Sequence, residues 1–411
     1  MKKWKLLIGI HFYSFCGAIM AQEYDIPFKS LKIFNGNTHA HSIFTYSHGN
    51  HLQRHQNFVK GDKVLFIDSL YISRPKNSQL KKEWNSFQGL PKKHYEEAVK
   101  AGFDFYCVTD HSQEEAFFPN SNNNTAWAIA TKNAEDATNT NFSAFMGVEH
   151  SENDSDNGRG HFNVIGSSTY INAIKPGVDI PYFYNWLKEN PKNLITGNPV
   201  AVSFNHPNID QFNNWDYRDE EITEIITLLE IINNQKLKYE GFLAALDKGW
   251  RVSPVAGIDN HNYTEIHKAQ SRTFVLAKKN TPKSILTAMR ARRTYASFDK
   301  NLECRYSVND SLMGSIIPQK KLYHLKVYVN DPTTDDESDK ISKIDIVTRK
   351  GKVIKSFELK RPQHKYFWNI TIKDKDVDQF LFIRVWDNTK SINTQKPVAF
   401  LAPIWVSKQN N

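Results

Sequence analysis

From about Leu31 to Thr294, short apolar runs alternate with runs that have the spacing of amphipathic helices. Six runs rich in β-branched and aromatic residues indicate buried strands, namely LKIFNG, FDFYCV, FSAFMGV, HFNVIG, VAVSF and RVSPVAGI. Five runs with apolar residues three and four positions apart indicate helices, namely PKKHYEEAVKAG, TAWAIATKNAEDA, DIPYFYNWLKEN, KLKYEGFLAALDKG and TPKSILTAMRARR. In the last run Thr281 suits the N-cap and Pro282 the first helical position. This alternation favours an α/β fold with a parallel sheet.

After Phe298 the pattern changes to short runs of alternating polarity, separated by clusters of Asp, Gly, Pro or Lys. These runs are LYHLKVYV, KIDIVTRK, KVIKSFEL, YFWNITI, QFLFIRVW and VAFLAPIWV. They predict an antiparallel β-sandwich of about 100 residues. We therefore divide the mature chain into residues 22–298 and a C-terminal β-sandwich domain at residues 299–411. Since VAFLAPIWV is too apolar to face water, we expect the sandwich to pack on the first domain.

Residues 1–21 have the order of a secretory signal peptide. A basic MKKWK precedes the apolar LLIGIHFYSFCGAIM, and cleavage is expected after Ala21. The apolar stretch is shorter and more interrupted than a membrane span of about 20 residues. The sequence thus predicts an exported protein, periplasmic or secreted, with no membrane span in the mature chain.

Composition limits the partners that can be expected. The chain has 53 Lys and Arg against 44 Asp and Glu, and loss of the three lysines of the signal peptide lowers the net charge from +9 to +6. This mild excess favours anionic partners, but no basic stripe with interleaved aromatic residues predicts stable nucleic-acid binding. Only Cys107 and Cys304 survive processing, which argues against a disulfide framework and against thiolate zinc sites.

Histidine and acidic residues occur at the edges of the predicted strands, where the sites of parallel-barrel enzymes are built. His39 and His41 in NTHAHS are two residues apart, so both side chains point the same way along the strand. Asp259 and His261 in GIDNH have the same spacing. Further ligand-type residues at strand edges are Asp110, His111, Glu149, His161 and His206. Because divalent ions of borderline softness bind imidazole and carboxylate, the set predicts a metal site with more than one ion.

Four positions have individual roles in this prediction. Glu149 is the natural bridging ligand, because its two oxygens can bind two cations. Asp110, a candidate catalytic residue, could orient a ligand, accept a proton or cap the turn. Arg159, the second candidate, could bind an anionic group through its planar guanidinium, or form a surface salt bridge in NDSDNGRG. His48 lies a few residues beyond His41 and could be a further metal ligand.

The chain resembles the PHP family of metal-dependent phosphoesterases, and within it the carbaryl-hydrolase-like branch. The resemblance rests on THAHS, AGFDFYCVTDH, GVEHS, GHFNVIG, FNHP, LLEIINN, AGIDNH and RARRTYAS, over roughly residues 33–298. It implies a distorted seven-stranded TIM-like (β/α) barrel that holds two or three zinc, manganese or iron ions.

Transferred to this chain, the resemblance also implies ligand sets. The first site would use His39, His41, Glu149 and Asp259, and the second would use Glu149 and His161 with solvent or substrate. The third would use His111, His206 and His261, with His48 where relatives often have Asp, a change that favours zinc over manganese. Glu230, Asn233, Asn205 and Asn262 could contact substrate, and Arg293 and Tyr295 could form the pocket wall or pack between the domains.

The function that follows is hydrolysis of a small-molecule or oligomeric anionic ester, most simply a phosphomonoester or phosphodiester, by metal-activated water. A carboxyl or carbamate ester hydrolase remains open, because the same chemistry can attack carbon. A noncatalytic binding protein, with the sandwich as the docking unit, is the alternative from another class. An amidohydrolase also begins with two histidines in an HxH pattern, but TDH, GVEHS and DNH fit the PHP pattern better.

Overall fold

A computed structural model describes residues 26–45, 64–67, 70–73, 88–117, 123–151, 160–173, 178–194, 196–333, 336–388 and 396–407. The predicted signal peptide, His48 and Arg159 lie outside the described residues. Residues 46–63, 68–69 and 74–87 also lie outside them.

The α-helices of the described residues are α1 Pro91–Lys100, α2 Thr125–Ala137, α3 Ile180–Glu189, α4 Gln211–Asn214, α5 Glu220–Ile225, α6 Tyr239–Asp247 and α7 Pro282–Arg290. The strands are β1 Lys32–Asn37, β2 Val64–Ile67, β3 Leu70–Ser73, β4 Phe105–His111, β5 Ser143–Ser151, β6 His161–Ile165, β7 Ala201–Asn205, β8 Ile226–Asn233, β9 Lys236–Leu237, β10 Ser253–Gly257, β11 Arg272–Ala277, β12 Thr294–Ser297, β13 Glu303–Val308, β14 Ser311–Leu312, β15 Ile316–Pro318, β16 Leu322–Asn330, β17 Ile341–Thr348, β18 Val353–Gln363, β19 Lys365–Lys373, β20 Phe380–Asp387, β21 Ala399–Leu401 and β22 Ile404–Ser407.

Sixteen of the described strands form one large sheet. Its order is β10-β8-β7-β6-β5-β4-β1-β11-β12-β21-β20-β17-β18, with β9, β15 and β22 attached beside this path. A second, antiparallel sheet has the order β14-β13-β16-β19, and β2 pairs with β3. The fold is therefore mixed α/β with two principal sheets.

The large sheet is mixed, whereas the alternation of strands and helices predicted a parallel one. Strand β1 pairs in parallel with β4, β4 with β5, β7 with β8, and β8 with β10. Strand β6 instead runs antiparallel to both β5 and β7. The physical reason is the connection, because β6 follows β5 after nine residues, too few for a parallel crossover of a dozen or more. The prediction of a parallel sheet is wrong here and also at β11, which runs antiparallel to β1.

The segments that follow β1 and β10 lie side by side. Ala40 and Asn260 form a parallel bridge, the Asp259 N–H donates to the His39 carbonyl at 2.9 Å, and the His41 N–H donates to the Asn260 carbonyl at 2.9 Å. The side chain of Asn37 adds a bond, because its Oδ1 accepts the backbone N–H of Ile258 at 2.8 Å. Strands at opposite ends of the β10-to-β1 series thus meet where the candidate ligands lie.

The observed helix starts agree with local capping rules. The Thr281 Oγ1 accepts the Ser284 N–H at 3.3 Å, and Pro282 is the first residue of α7, as the sequence predicts. Helix α2 begins after Asn124, whose Oδ1 accepts the Trp127 N–H at 2.9 Å. Within the described residues the longest helix, α2, has 13 residues, and none has the length and apolar character of a membrane span.

Helix α4 and the residue after it form an unusual left-handed turn. The φ angles are 55° at Phe212, 51° at Asn213, 53° at Asn214 and 64° at Trp215. Left-handed helical geometry costs a non-glycine residue roughly 1–2 kcal/mol. Phe212 and Trp215 are buried, and their rings pack on Phe204 of β7 with centroids 4.7 and 5.2 Å away. The buried aromatic contacts offset the strained backbone.

The C-terminal strands enclose a second apolar core. Tyr306, Val327 and Trp368 from the smaller sheet pack with Ile344 and Ile383 from the large sheet, as in two sheets stacked face to face. The run VAFLAPIWV is not one strand but two, β21 and β22, separated by the pair at positions 402–403. Because β21 pairs with β12, the large sheet passes without a break from the N-terminal part into the C-terminal part.

Candidate metal centre

The two histidines of NTHAHS lie just beyond β1 and face the same point. Both are buried, and their Nε2 atoms are 3.1 Å apart. The bridge of Ala40 to Asn260 fixes the extended backbone between them. Two residues at i and i+2 of an extended segment point to one side, as the sequence predicts.

Asp259 joins this pair from the segment after β10. Its Oδ1 lies 3.1 Å from His41 Nε2 and 3.5 Å from His39 Nε2. The residue has a φ of 53°, and its N–H is bonded to the His39 carbonyl. His39, His41 and Asp259 each offer one ligand atom within 4.8 Å of the others, which makes them a group that could hold a metal ion.

Glu149 of β5 lies at the middle of the cluster, and only 1% of its surface is exposed. Imidazole nitrogens of five residues approach its two oxygens. The nitrogens near Oε1 are His39 Nε2 at 3.3 Å, His161 Nδ1 at 3.2 Å and His206 Nε2 at 3.3 Å. The nitrogens near Oε2 are His111 Nδ1 at 2.8 Å and His41 Nε2 at 3.5 Å. Asn205 also donates to Oε1 at 2.9 Å. One carboxylate therefore contacts ligand-type atoms of five residues from four separate strands or strand ends.

Two further groups lie beside the first, and one of them shares His41 with it. Glu149, His161 and His206 form one, and His41, His111 and His261 form the other. The ring of His41 lies between those of His111 and His261, with centroid distances of 4.4 and 4.2 Å and interplanar angles of 27° and 25°. The structure thus brings together every predicted metal ligand that lies within the described residues.

The electrostatics leave the carboxylates charged. Burial opposes ionisation of Glu149, but the nearby His39, His161 and His111 outweigh it and hold its pKa well below the usual range. The pKa of Asp259 is likewise held well below its usual range, because His39 and His41 outweigh burial. Burial, reinforced by His111, lowers the pKa of His41 to about 3, so its imidazole is neutral at pH 7. Ionised carboxylates and neutral imidazoles are the states that bind cations.

His39 behaves differently from His41 in the absence of a cation. Burial would lower its pKa, but the charges of Asp259, Glu149 and Glu230 outweigh burial and raise the pKa well above 6.5. A proton on His39 therefore neutralises part of the concentrated negative charge. The donor set of imidazole and carboxylate, closely spaced and buried, fits divalent ions such as zinc, manganese or iron.

Asp110 contacts the loop that carries the HxH pair. Its Oδ1 accepts the Ser42 N–H at 2.6 Å and the Thr45 hydroxyl at 2.8 Å, and its Oδ2 accepts the Ser42 hydroxyl at 2.7 Å. The Thr45 oxygen also accepts the His111 N–H at 2.9 Å and lies 3.3 Å from His41 Nδ1. Burial raises the pKa of Asp110 to about 6, against the effect of these hydrogen bonds.

Several positioning contacts were not predicted. Ser42, Thr45 and Ser151 contact Asp110, His41 or His111 through their hydroxyls. Asn163 donates to the Thr38 carbonyl at 3.0 Å and holds the start of the HxH segment. The sequence signal is weak, since it consists only of short polar residues next to ligand-bearing strands.

Among the residues that were expected to contact substrate or to form the pocket wall, Asn262 and Tyr295 make other contacts. Asn262 caps the short helix at Tyr263–Lys268, with its Oδ1 accepting the Thr264 N–H at 2.9 Å. Tyr295 is fully buried, stacks on Phe274 with centroids 4.6 Å apart and donates to the Leu302 carbonyl at 2.7 Å. This geometry matches the packing alternative. Asn205, Glu230 and Asn233 contact candidate ligands directly.

No protein family model matches the chain, and no curated protein matches it significantly. The chain is similar to a crystal structure of a two-domain protein from Bacteroides vulgatus that is described as containing a predicted PHP-like metal-dependent phosphoesterase. The identity is 16%, the match covers 91% of this chain and 96% of that chain, and the TM-score is 0.46. Similarity at this level does not define the family, so the candidate metal centre stands on its own geometry.

Proposed function

We propose that this protein is a metal-dependent hydrolase of PHP type that cleaves phosphoric monoesters or diesters. The observation that carries the proposal is the Glu149 carboxylate, which is buried and approached by nitrogens of five imidazoles. Such a shared carboxylate is the feature expected of a centre with two or three divalent ions. The strand order and the Ala40 to Asn260 bridge are consistent with a distorted seven-stranded barrel as the scaffold.

The proposed ion positions follow from the three groups of ligand-type atoms. One position would use His39, His41 and Asp259, the second would use Glu149 with His161 and His206, and the third would use His111 and His261 beside His41. His206 is thus assigned to the second position and not to the third, where the resemblance placed it, because its Nε2 lies 3.3 Å from Glu149 Oε1. When bound, divalent ions supply Lewis acidity and activate water for attack on phosphorus. His48 and Arg159 remain predictions for a further ligand and for an anion-binding group.

The protein residues hold the ligands in place and shape access. Thr45 lies against His41 Nδ1 and Glu230 against His39 Nδ1, which keeps the Nε2 atom of each ring directed at the centre. We assign Asp110 a positioning role through Thr45 and Ser42. The side chains of His161 and His206 are 28% and 22% exposed, against 1% for Glu149, so substrate is proposed to approach from their side.

We also propose the class of substrate and the export of the protein. A carbaryl-like esterase would use the same residues, so substrate tests must separate the two activities. Export after cleavage behind Ala21 is proposed on the sequence of residues 1–21.

The direct test is a substrate panel with metal-loaded and chelator-treated protein. We expect turnover of p-nitrophenyl phosphate or bis-p-nitrophenyl phosphate, loss of turnover with chelator, and recovery with Zn²⁺ or Mn²⁺. Product only from a naphthyl carboxyl or carbamate ester would overturn the phosphoesterase assignment. Metal-loaded protein that cleaves none of these esters would overturn the hydrolase assignment and favour the noncatalytic alternative.

A further inference from the structure

We infer that Glu230 is a positioning residue that connects two of the proposed ion positions, an inference that rests on the metal centre of the proposed function. Glu230 lies on β8 within LLEIINN, and only 1% of its surface is exposed. A charged side chain buried to this extent needs partners for both oxygens. Those partners are residues of the candidate centre.

The first oxygen of Glu230 controls the orientation of His39. Its Oε1 lies 3.0 Å from His39 Nδ1. A carboxylate only accepts hydrogen bonds, so it holds a proton on Nδ1 and leaves Nε2 as the ligand atom. That Nε2 atom is the one that faces Glu149 at 3.3 Å and Asp259 at 3.5 Å. Glu230 thereby fixes both the rotation of the His39 ring and its tautomer.

The second oxygen of Glu230 contacts His206, a residue of the second proposed ion position. Its Oε2 accepts the backbone N–H of His206 at 2.7 Å and the Asn233 side-chain amide at 3.2 Å. The φ of His206 is 29°, a conformation that non-glycine residues rarely adopt and that needs support from its surroundings. The Asn233 amide also lies 3.1 Å from Asp259 Oδ2. One side chain therefore contacts His39 directly, His206 through its backbone, and Asp259 through Asn233.

Gly257 gives independent support for a space kept for this carboxylate. A Cβ added at Gly257, the last residue of β10, would lie 1.7 Å from Glu230 Oε1 and 2.6 Å from the Cβ of His39. Its φ is outside the left-handed region, so a glycine is required here by space and not by backbone conformation. The last position of β10 lacks a side chain where Glu230 and His39 meet.

Direct contact of Glu230 with substrate, the role that the sequence suggested, fits the geometry less well. Both oxygens already accept hydrogen bonds from protein groups, and the side chain is enclosed by the strand ends. Substrate contact would break the bonds that hold His39 and His206. The expected role is therefore in metal affinity.

The test is the metal affinity of the Glu230→Gln variant in the full chain. Glutamine keeps the shape but has one acceptor oxygen, so it cannot serve both His39 and His206, and its amide places a donor against a donor. We expect Zn²⁺ and Mn²⁺ affinity, measured by competition with a chromophoric chelator, to fall about 10–100-fold. Glu240→Gln, an exposed carboxylate on α6, is the matched control and should keep the wild-type affinity.

A second variant keeps the inference testable if Glu230→Gln folds poorly. Gly257→Ala retains Glu230 but pushes its carboxylate away from His39, so it should cause a similar loss of affinity. Thermal unfolding of the chelator-treated proteins shows whether each variant is folded. Wild-type affinity in folded Glu230→Gln would overturn the inference. If Glu230→Gln loses metal affinity but the wild-type protein hydrolyses no ester, the inference is supported and only the proposed function is overturned.

Discussion

At the scale of single residues, the centre depends on a few side chains that serve more than one group. Glu149 contacts five histidines, and His41 belongs to two of the three groups of ligand-type atoms. Without a cation, the carboxylates of Asp259, Glu149 and Glu230 raise the pKa of His39 against the effect of burial. Shared ligands should therefore affect more than one ion when they are replaced.

Glu149→Gln tests the shared carboxylate. The amide removes the negative charge and turns one acceptor into a donor, so two neighbouring cations lose their common ligand. We expect the number of bound ions per chain to fall by at least one and the remaining affinity to drop by more than about 100-fold. Elemental analysis after dialysis measures the stoichiometry, and an unchanged ion count would contradict the proposed role.

His41→Ala tests the ligand that two groups share. Because His41 lies between His111 and His261 and also faces Asp259, its removal should weaken two ion positions. We expect metal-dependent phosphoesterase activity to fall by more than about 100-fold. His267→Ala is the control, because His267 is partly exposed and pairs with Glu97 on α1. Equal activity in the two variants would argue against the assignment.

The sequence identified the candidate ligands better than the residues that position them. The HxH and DxH spacings predicted which side chains converge, since strand periodicity fixes side-chain direction. Glu230 was recognised as a residue of interest, but its contact with His39 joins positions 191 apart and depends on strand order. Ser42 and Thr45 were missed because hydroxyl residues near a strand end are common and carry little information.

At the scale of elements, short connections decide where the predictions fail. Helices with clear caps, such as α7 after Thr281, were predicted to within a few residues. The direction of β6 was not predicted, because an apolar pattern indicates a strand but not whether that strand runs parallel to its neighbour. The split of VAFLAPIWV into β21 and β22 depends on a turn at 402–403 that an apolar run conceals.

The left-handed turn at α4 gives a prediction at this scale. Asn214 is exposed and has a φ of 53°, so Asn214→Gly should keep or slightly raise the free energy of unfolding, whereas Asn214→Val should lower it by about 1–2 kcal/mol. Urea unfolding measures the difference. Asn369→Val, at an exposed position of β19, is the control and should not destabilise the protein. Equal effects of valine at the two positions would argue against the left-handed turn.

At the scale of the whole molecule, the N-terminal and C-terminal parts share one sheet. Strand β12 pairs with β21, and Leu31, Phe274, Leu276 and Tyr295 belong to the apolar core that the C-terminal strands complete. The predicted boundary at 298/299 follows β12 in the chain, but the contacts cross it. Two hydrophobic patterns in one chain therefore indicate two structural units without showing that either is independent.

Removal of the C-terminal part tests this dependence. A fragment of residues 22–298 would expose the edge of β12 together with the apolar residues that face the second core, and an exposed edge strand promotes aggregation. We expect the fragment to be insoluble or to unfold at a clearly lower temperature than the full chain. A soluble fragment with the thermal stability and metal affinity of the full chain would contradict the shared core.

The central claim is that the residues around Glu149 hold two or three divalent ions. Anomalous X-ray diffraction from crystals of the Zn²⁺-loaded protein, recorded on both sides of the zinc edge, tests it most directly. We predict at least two zinc peaks, each about 2.0–2.2 Å from imidazole or carboxylate atoms of the cluster. One of them should be bound by His39, His41 and Asp259, with Glu149 as a shared ligand. A fully loaded crystal with no zinc peak among these residues would contradict the account.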